Sequence, residues 1–461
     1  MLEACGELGI PSRGLGRIAL VSLAPTRGRV RASLTRGGVH MKRVVIVGAG
    51  FAGLQAMRAL ARQSVEVLLI DRRNYHLFQP LLYQVATAGL QTDEIAYPAR
   101  ALVRRWPNTH FWLAEVCGVD LAQRQLLLAN GAPVPYDYLV LSAGSVTNYY
   151  GLEGVQRLAL DLKQLGDAVV LRNRVLCAFE RACQARDPAE RAALMTFVIV
   201  GGGPTGIEFA GALSELVRHV LTRDYRELDV HKTRIILLEA LPQLLSPFAP
   251  KLQQYALSRL QHLGVEVRLS TAVSDAQRGR VLLKDGSEIA THTLFWAAGV
   301  RAAPLADALQ VARGRGGRIV VRPDLALPDH PEVFAVGDMA YLEQDGAPLP
   351  MLAPVAMQQG RYVGRAIIQR ERGQPLPPFR YRDKGAMAII GRNAAIARWR
   401  GLQFSGFLAW LAWLGLHLYY LVGFRNQLLA IIDWGYQYIM FDRKVRLITG
   451  EGKDGCTGDT L

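Results

Sequence analysis

Two glycine-rich turns carry the first recognisable chemistry of this 461-residue chain. Each has the pattern G-x-G-x-x-G, follows an apolar run and precedes a helical pattern. The six glycines are Gly48, Gly50, Gly53, Gly201, Gly203 and Gly206. In such a turn the first glycine permits a tight bend, the second lets a pyrophosphate approach the backbone, and the third lets the helix pack on the strand. Because a helix N-terminus offers free N–H groups to phosphate, the chain is predicted to bind two dinucleotides.

An acidic residue ends the second strand pattern of each unit, where a ribose is expected. Asp71 closes the apolar run 65–70, and Glu239 closes the run 235–238. A carboxylate at this place accepts hydrogen bonds from the adenosine ribose. The alternative is an ordinary solvated carboxylate at a strand end. Because an acid at Glu239 would repel a 2′-phosphate, the second unit is predicted to prefer NADH over NADPH.

The order of these patterns predicts an α/β protein with two Rossmann-like dinucleotide-binding domains. The continuous Val, Ile and Leu runs are typical of parallel strands that are buried on both faces. A later apolar run at 332–336 leads into Gly337 and Asp338, and a helix is predicted to open near Pro354. The predicted regions are an extension at 1–40, a discontinuous domain at 41–150 and 300–385, a second domain at 151–299, and a C-terminal region at 386–461.

Five motifs make the chain similar to one family, the type II (non-proton-pumping) NADH dehydrogenases, within the flavoproteins that have two dinucleotide-binding domains. The resemblance covers about 41–445, and its motifs are VGAGFAGL at 47–54, YHLFQPLLYQVA at 75–86, GGGPTGIE at 201–208, VGD at 336–338 and APVAMQQG at 353–360. It implies FAD in the first domain and NADH in the second. It also implies that Gly337 and Asp338 bind the ribityl or phosphate portion of the flavin. The alternative for these two residues is a turn that only ends a strand.

The resemblance further implies four residues of the reaction site. Gln358 and Gln359 resemble glutamines that the family places between flavin and quinone, and their alternative is a helix-surface position. Glu208 is implied beside flavin and nicotinamide, where a buried carboxyl with a raised pKa relays protons, or it only complements the helix dipole. Lys384 resembles a lysine that stabilises a quinol oxyanion, or it is a solvated surface lysine. No metal site is predicted.

The reaction that the resemblance implies is FAD-dependent oxidation of NADH by a quinone. Hydride passes from NADH to flavin, and two electrons pass on to a membrane quinone without proton pumping. Two alternatives stay open: an NADH-dependent reductase of a soluble acceptor or ferredoxin-like protein, and an NADH-sensing flavoprotein with little turnover. The positions of the five cysteines disfavour sulfide and disulfide chemistry. They are expected to be reduced thiols of a cytosol-facing protein.

Charge and hydropathy predict a membrane partner for the C-terminal region. The net charge is +15, and residues 361–400 hold nine Arg and one Lys against one Glu and one Asp. A stretch without charges at 401–424 and an aromatic-rich segment at 427–441 follow, which favours an anionic lipid surface over nucleic acid. Amphipathic helices that lie in the interface are predicted, on the cytoplasmic face of a bacterial inner membrane. A spanning helix is the alternative, and a homodimer interface stays open.

The first forty residues are expected to lie outside the fold. They contain six Arg, many Gly and no apolar run long enough for a secretory signal. Met41 opens the first strand pattern as a native N-terminus would. The interpretation is therefore a disordered tail or a misassigned start, and a transit peptide is the alternative.

Overall fold

The structure is a computed structural model, and it describes residues 35–36, 39–449 and 456. Most of the predicted extension at 1–40 lies outside these residues. The chain divides into two compact units. Among the described residues, the first unit contains those up to 74 together with 99–144 and 302–381. The second contains 75–98, 145–301 and those from 382 onward.

The described chain contains many short strands, which in two places follow one another without an intervening α-helix, from β7 to β12 and from β15 to β25. The strands are β1 Thr35–Arg36, β2 Val39–His40, β3 Lys42–Val47, β4 Val65–Asp71, β5 Tyr75–Leu77, β6 Ala96–Pro98, β7 Thr109–Leu113, β8 Val116–Asp120, β9 Gln125–Leu128, β10 Val134–Pro135, β11 Tyr138–Leu141, β12 Ser145–Thr147, β13 Thr196–Val200, β14 Arg234–Leu238, β15 Val265–Arg268, β16 Val273–Gln277, β17 Arg280–Leu283, β18 Glu288–Ala290, β19 Thr293–Trp296, β20 Val300–Ala302, β21 Ile319–Val320, β22 Val333–Ala335, β23 Ala340–Tyr341, β24 Glu343–Gln344, β25 Ala347–Pro348, β26 Ala386–Gly391, β27 Ala394–Trp399 and β28 Leu402–Gly406.

The helices vary from single turns to five turns. The α-helices are α1 Phe51–Leu60, α2 Leu82–Ala86, α3 Thr92–Ile95, α4 Ala99–Val103, α5 Glu153–Leu158, α6 Leu165–Gln184, α7 Pro188–Leu194, α8 Pro204–Leu216, α9 Thr222–Asp224, α10 Pro250–His262, α11 Ala353–Glu371, α12 Phe407–Tyr420 and α13 Phe424–Met440. A π-helical turn, Val217–Leu221, joins α8 to α9. Short 3-10 helices occupy Gln79–Leu81, Val230–Lys232, Pro304–Ala306, Arg315–Gly317 and Gly337–Met339.

The first unit is built on a parallel five-stranded sheet in the order β22-β11-β3-β4-β7. Val44, Val45 and Ile46 in the central strand β3 have no exposed surface. Strands covered on both faces gain from β-branched side chains along their whole length, which explains the lack of apolar–polar alternation. Glycines let α11 pack closely on α1: a Cβ at Gly360 would lie 2.1 Å from the Ala52 carbonyl oxygen.

The second unit repeats the arrangement with a parallel four-stranded sheet in the order β15-β14-β13-β19. All five residues of β13 are buried. One face of the sheet packs on the antiparallel strands β16–β18, with Val198, Ile236 and Val281 in the shared core. In each unit, then, the central strand leads into one glycine turn and the neighbouring strand ends at the predicted ribose-binding acid.

The two largest differences between the unit boundaries and the predicted domain boundaries concern residues 75–98 and the C-terminal region. Residues 75–98, predicted to lie in the first domain, belong to the second unit. The reason is packing: α2 contacts α6 and α8, and α3 contacts α13. The predicted C-terminal region at 386–461 also joins the second unit, because the antiparallel strands β26–β28 pack on α8, α10 and α12.

The uncharged stretch at 401–424 folds as two elements. Residues 402–406 form the strand β28, and only 407–420 form the helix α12. The aromatic segment that follows lies in α13. Among residues 39–449, which include all the described helices, no helix is long and apolar enough to cross a membrane.

The expectation that all cysteines are reduced is wrong for one pair. Cys177 of α6 and Cys456 are joined by a disulfide, with Cα atoms 5.1 Å apart. Hydrogen bonds bring the C-terminal segment to the same helix, because the Asn173 and Arg172 side chains both bond Thr449. A partner 279 positions away cannot be recognised from cysteine spacing. Cys117 and Cys183 are not part of a disulfide, and Cys5 lies outside the described residues.

Candidate functional site

The two glycine turns have the geometry of a phosphate cradle. The third glycine of each is sterically required, since a Cβ at Gly53 would lie 1.9 Å from the Gly48 carbonyl oxygen. In the second unit a Cβ at Gly206 would lie 2.0 Å from the Gly201 carbonyl oxygen. The middle glycines, Gly50 and Gly203, are not sterically required, because a Cβ on either one would meet no atom of the described chain within 4 Å. Space is therefore free in front of each helix.

The N-termini of α1 and α8 face that space. Gly50 and Gly203 are the N-cap residues of α1 and α8, and among the described residues no side chain caps either helix or places an acid in its first turn. Uncapped N–H groups and the positive end of the dipole favour a bound anion. The chain's own atoms thus fit the pyrophosphates of two dinucleotides.

The two predicted ribose-binding acids brace the turns. Asp71 accepts hydrogen bonds from the N–H groups of Ala49 (2.7 Å) and Arg73 (2.8 Å). Glu239 does the same in the second unit, with Gly202 at 2.5 Å and Leu241 at 2.8 Å. Each carboxylate oxygen has two lone pairs, so one remains for a ribose hydroxyl. Their place beside the turns agrees with a ribose site, and their role in binding stays a prediction.

The turn at Gly337 lies where two helices begin. Gly337 has a φ of +66°, and a Cβ there would lie 3.2 Å from the Cβ of Ala356 in α11 and 3.5 Å from that of Ala52 in α1. The side chain of Gln359 is 1% exposed, and its Oε1 accepts the Gly337 N–H at 2.6 Å. This bond gives Gln359 a positioning task that sequence did not suggest. Asp338 follows at the mouth of the turn, half-buried.

Glu208 lies in α8, in an environment that favours its protonated form. Its side chain keeps a little exposed surface, but the surrounding protein is dense enough that burial raises its pKa to about 8. The N–H of Ile389 in β26 donates to its Oε1 at 3.4 Å, and this contact and the Trp413 side chain both lower the pKa. At neutral pH the group is mainly a carboxylic acid, which can donate a proton.

Polar residues from other segments of the second unit lie near Glu208. Tyr83 of α2 has a pKa well above its ordinary value, because it is buried and near the Glu208 charge. Arg443, after α13, pairs with Glu215 at 3.2 Å and donates to the carbonyl oxygens of Thr87 and Ala212. These groups form a polar cluster beneath the C-terminal helices.

Trp413 and His417 bring α12 into the same cluster. Their rings stack with centroids 3.9 Å apart, and the Trp413 ring meets Tyr83 edge-on at 6.3 Å. Burial lowers the pKa of His417 to about 4, so its ring is neutral at physiological pH. The Nδ1–H then donates to the Trp413 carbonyl oxygen at 2.8 Å. Sequence analysis missed both residues, although their i, i+4 spacing in an uncharged helix was a usable signal.

The remaining predicted site residues are divided between the units. Gln358 lies in α11 of the first unit, next to Gln359, and its side chain is partly exposed. Lys384 is exposed in the loop before β26 of the second unit. Glu208 and Lys384 therefore share one unit, and the two glutamines share the other.

Comparison with known proteins identifies the family. Residues 42–360 match the family model described as pyridine nucleotide-disulphide oxidoreductase. The type II NADH:quinone oxidoreductase Ndh of Mycobacterium tuberculosis is 41% identical over 423 residues, which cover 89% of this chain and 90% of that protein. This chain belongs to the type II NADH:quinone oxidoreductases. A second member from the same organism, NdhA, is 41% identical over 433 residues.

A solved structure agrees with this assignment to the type II NADH:quinone oxidoreductases. The structure of NDH2 from Plasmodium falciparum in complex with NADH superposes with a TM-score of 0.80 and covers 87% of this chain and 98% of that one. At 18% identity the likeness shows the fold alone. The predicted family, α/β fold class, oxidoreductase activity, and cofactors FAD and NADH are confirmed. The roles of individual residues stay predictions.

Proposed function

We propose that this type II NADH:quinone oxidoreductase works as a peripheral protein on an anionic membrane surface, where it reduces a lipid-dissolved quinone. The balanced reaction is NADH + Q + H⁺ → NAD⁺ + QH₂, and it moves no charge across the bilayer. The observation that carries the proposal is the polar cluster around Glu208, which lies directly beneath the apolar helices α12 and α13. Since NADH is a cytosolic coenzyme, we place the protein on the cytoplasmic face of the inner membrane.

The first glycine turn and its neighbours suit FAD, and the second suits NADH. Gly48, Gly50 and Gly53 would hold the flavin pyrophosphate, with Asp71 at the ribose and Asp338 at the ribityl chain or phosphate. The corresponding residues for NADH are Gly201, Gly203, Gly206 and Glu239. Bound FAD supplies the two-electron step between nicotinamide and quinone. The protein's own part is to bind, orient and supply the proton.

Glu208 is the proposed proton donor to quinone. Its raised pKa keeps it protonated at neutral pH, and its partly exposed side chain lets it exchange protons with water. Gln358 and Lys384 are proposed at the quinone, as an uncharged donor and as a cation for the developing oxyanion. For Gln359 we propose a supporting role, because its side-chain oxygen is already engaged by the Gly337 N–H.

The outer surface of α12 and α13 supports membrane docking. Only Ala409 and Trp413 of α12, and Asn426 and Ala430 of α13, are buried. Large apolar side chains of the two helices are 43–80% exposed: Phe407, Leu408, Leu411, Leu416, Tyr419, Phe424, Leu428, Ile431, Ile432, Ile439 and Met440. An apolar surface of this extent is typical of a protein or membrane interface, and two adjacent amphipathic helices suit the plane of a bilayer.

Cations at the edge of this surface favour anionic lipid. Arg392 lies 3.9 Å from the ring centroids of both Tyr438 and Phe441, and Lys444 lies 4.0 Å from that of Tyr436. Arg and Lys beside interfacial aromatic rings reach the headgroup layer while their stems lie on apolar surface. Each such cation adds about 1 kcal/mol of attraction to an acidic membrane.

The docking proposal is tested with vesicles. Leu408→Glu combined with Ile432→Glu should abolish co-sedimentation with vesicles of mixed phosphatidylcholine and phosphatidylglycerol. The matched control is Leu113→Glu, which changes a similarly exposed leucine in β7 of the first unit. If the wild-type protein did not co-sediment with anionic vesicles, the docking proposal would be refuted. A double variant that turns a dimer into a monomer without changing vesicle binding would assign the surface to a homodimer.

The reaction is tested by anaerobic stopped flow. NADH should bleach the flavin absorbance within the turnover time, and a soluble quinone should then restore it. Restoration by a ferredoxin-like protein or a dye, but not by quinone, would support the reductase of a soluble acceptor. Bleaching far slower than any turnover would support an NADH sensor. Either result would remove the quinone assignment.

A further inference from the structure

Trp413 carries a buried donor that normal hydrogen bonding does not explain. Its side chain is 0% exposed, and within the described part of the chain its Nε1 makes no hydrogen bond of normal geometry. Other indoles are paired: the Nε1–H of Trp434 donates to Gln84 at 2.7 Å, and that of Trp296 donates to the Asn148 carbonyl oxygen at 2.9 Å. Because a buried unpaired donor destabilises the folded state, it calls for an explanation.

The group on which this donor acts is Glu208. The Trp413 side chain favours the charged form of the Glu208 carboxyl, against the effect of burial. The other donor, the Ile389 N–H, is at the long end of the hydrogen-bond range at 3.4 Å. Close packing fixes this geometry, since a Cβ at Gly211 of α8 would lie only 1.9 Å from the Ile390 carbonyl oxygen of β26.

We propose that Trp413 is a positioning residue for the proton donor: its indole N–H is held ready to stabilise the Glu208 carboxylate at the moment that Glu208 gives its proton to quinone. The inference rests on the proposed role of Glu208 as that donor. It makes α12 part of the reaction site as well as part of the docking surface. The weakly engaged N–H of the resting protein is then explained, because a carboxylate accepts a hydrogen bond much more strongly than the neutral acid does.

The proton step balances with the groups named. The O–H bond of the Glu208 carboxyl breaks, and an O–H bond to a quinone oxygen forms. The electron pair of the broken bond stays on the carboxylate. The hydride that NADH gives up accounts for the two electrons that reduce the quinone and for the second proton of the quinol. The carboxylate then regains a proton from water, which accounts for the one H⁺ that the reaction consumes. A donor already in place lowers the energy of the charged state without reorganisation.

The other titratable groups around Glu208 supply no net positive charge. Tyr83 from α2 is neutral at physiological pH, and so is His417 from α12. Arg443 forms an ion pair with Glu215, which lies two turns further along α8 on the same face. The Trp413 N–H is therefore the side-chain donor on which the Glu208 carboxylate depends.

The test changes the N–H with little change of shape. In the FAD-loaded full chain, Trp413 is replaced by its benzothienyl analogue, in which sulfur replaces the N–H group, and separately by Phe (W413F). Infrared difference spectra against Glu208→Gln follow the protonated-carboxyl band of Glu208 through a pH titration. Losing one hydrogen bond to a charged group should raise its apparent pKa by about one to two pH units. The alkaline limb of the pH profile of quinone reduction should move by the same amount.

Trp410→Phe is the matched control. It removes an indole from the same helix, where Trp410 stacks on Phe407 and Tyr438 and is not among the groups that shift the pKa of Glu208. Its titration should equal that of the wild type. An unchanged Glu208 titration in the benzothienyl variant would overturn the proposal, even if W413F lost activity through misfolding. Since the titration needs no quinone, a wild-type protein that fails to reduce quinone would refute the proposed function through a separate measurement.

Discussion

Alanine at the middle glycine of the second turn should separate cofactor binding from folding. Gly203 has φ −78° and ψ 177°, an extended conformation that alanine adopts freely. The new Cβ would meet no described atom within 4 Å, so the free energy of unfolding should change by less than about 0.5 kcal/mol. The methyl group would, however, occupy the space in front of α8 where a pyrophosphate is expected.

The size of the effect on NADH binding follows from the hydrogen bonds that the methyl group would displace. Moving the pyrophosphate should break at least one hydrogen bond between a backbone N–H and a charged oxygen, worth about 1.5–3 kcal/mol. The dissociation constant of NADH should therefore rise by about ten- to a hundredfold. Gly206→Ala is the contrasting variant. Its Cβ would lie 2.0 Å from the Gly201 carbonyl oxygen, so α8 must shift, and overpacking of this kind costs about 1–3 kcal/mol of stability.

Two assays distinguish these effects. Flavin bleaching at a series of NADH concentrations gives the dissociation constant for NADH, and thermal unfolding by circular dichroism gives the change in stability. Gly203→Ala should weaken NADH binding while its melting temperature and FAD content stay at wild-type values. Gly206→Ala should lower the melting temperature. Normal NADH affinity in Gly203→Ala would refute the assignment of the pyrophosphate to this turn.

Three further outcomes are expected. The folded-state pKa of Glu208 is raised from 4.5 to about 8, so between these pH values the carboxyl ionises in the unfolded chain and stays protonated in the folded protein. The folded protein therefore loses stability as pH rises, and the melting temperature of the wild type should fall relative to that of Glu208→Gln between pH 5 and about 8. Asp338→Ala should lower the FAD content of purified protein, while Asp345→Ala, which removes an exposed carboxylate of the same unit, should not. Burial and Asp433 raise the pKa of Glu94 from 4.5 to about 8, so Asp433→Asn should reduce the loss of stability measured by thermal melting from pH 5 to about 8.

The cofactor sites could be predicted from the sequence because their determinants are local. A strand, a tight turn with obligatory glycines and a helix N-terminus follow one another within about ten residues, and steric need fixes their spacing. The carboxylate that braces each turn ends the next strand of the sheet, 18 positions after Gly53 in the first unit and 33 positions after Gly206 in the second. Gly53 and Gly206 illustrate this, since the overlap that forbids a side chain involves an atom five positions earlier in the chain.

The residues of the reaction site were harder to predict from the sequence, because they come from distant segments of the chain. Trp413 lies near Glu208 because β26 packs on both α8 and α12, and no periodicity in either segment records that contact. The same holds for Arg443 and Glu215. Gln359 belongs to a sequence motif, but its bond to the Gly337 N–H depends on how α11 begins next to the turn that follows β22.

The bond between Cys177 and Cys456 turns more than half of the polypeptide into a closed ring. Both C-terminal helices lie inside that ring. A protease that cuts one exposed loop between the two cysteines would therefore leave a single covalent molecule, which would run as two fragments on a denaturing gel only after a thiol reductant is added. Damage to the surface loops of this part of the chain would not by itself release the helices α12 and α13.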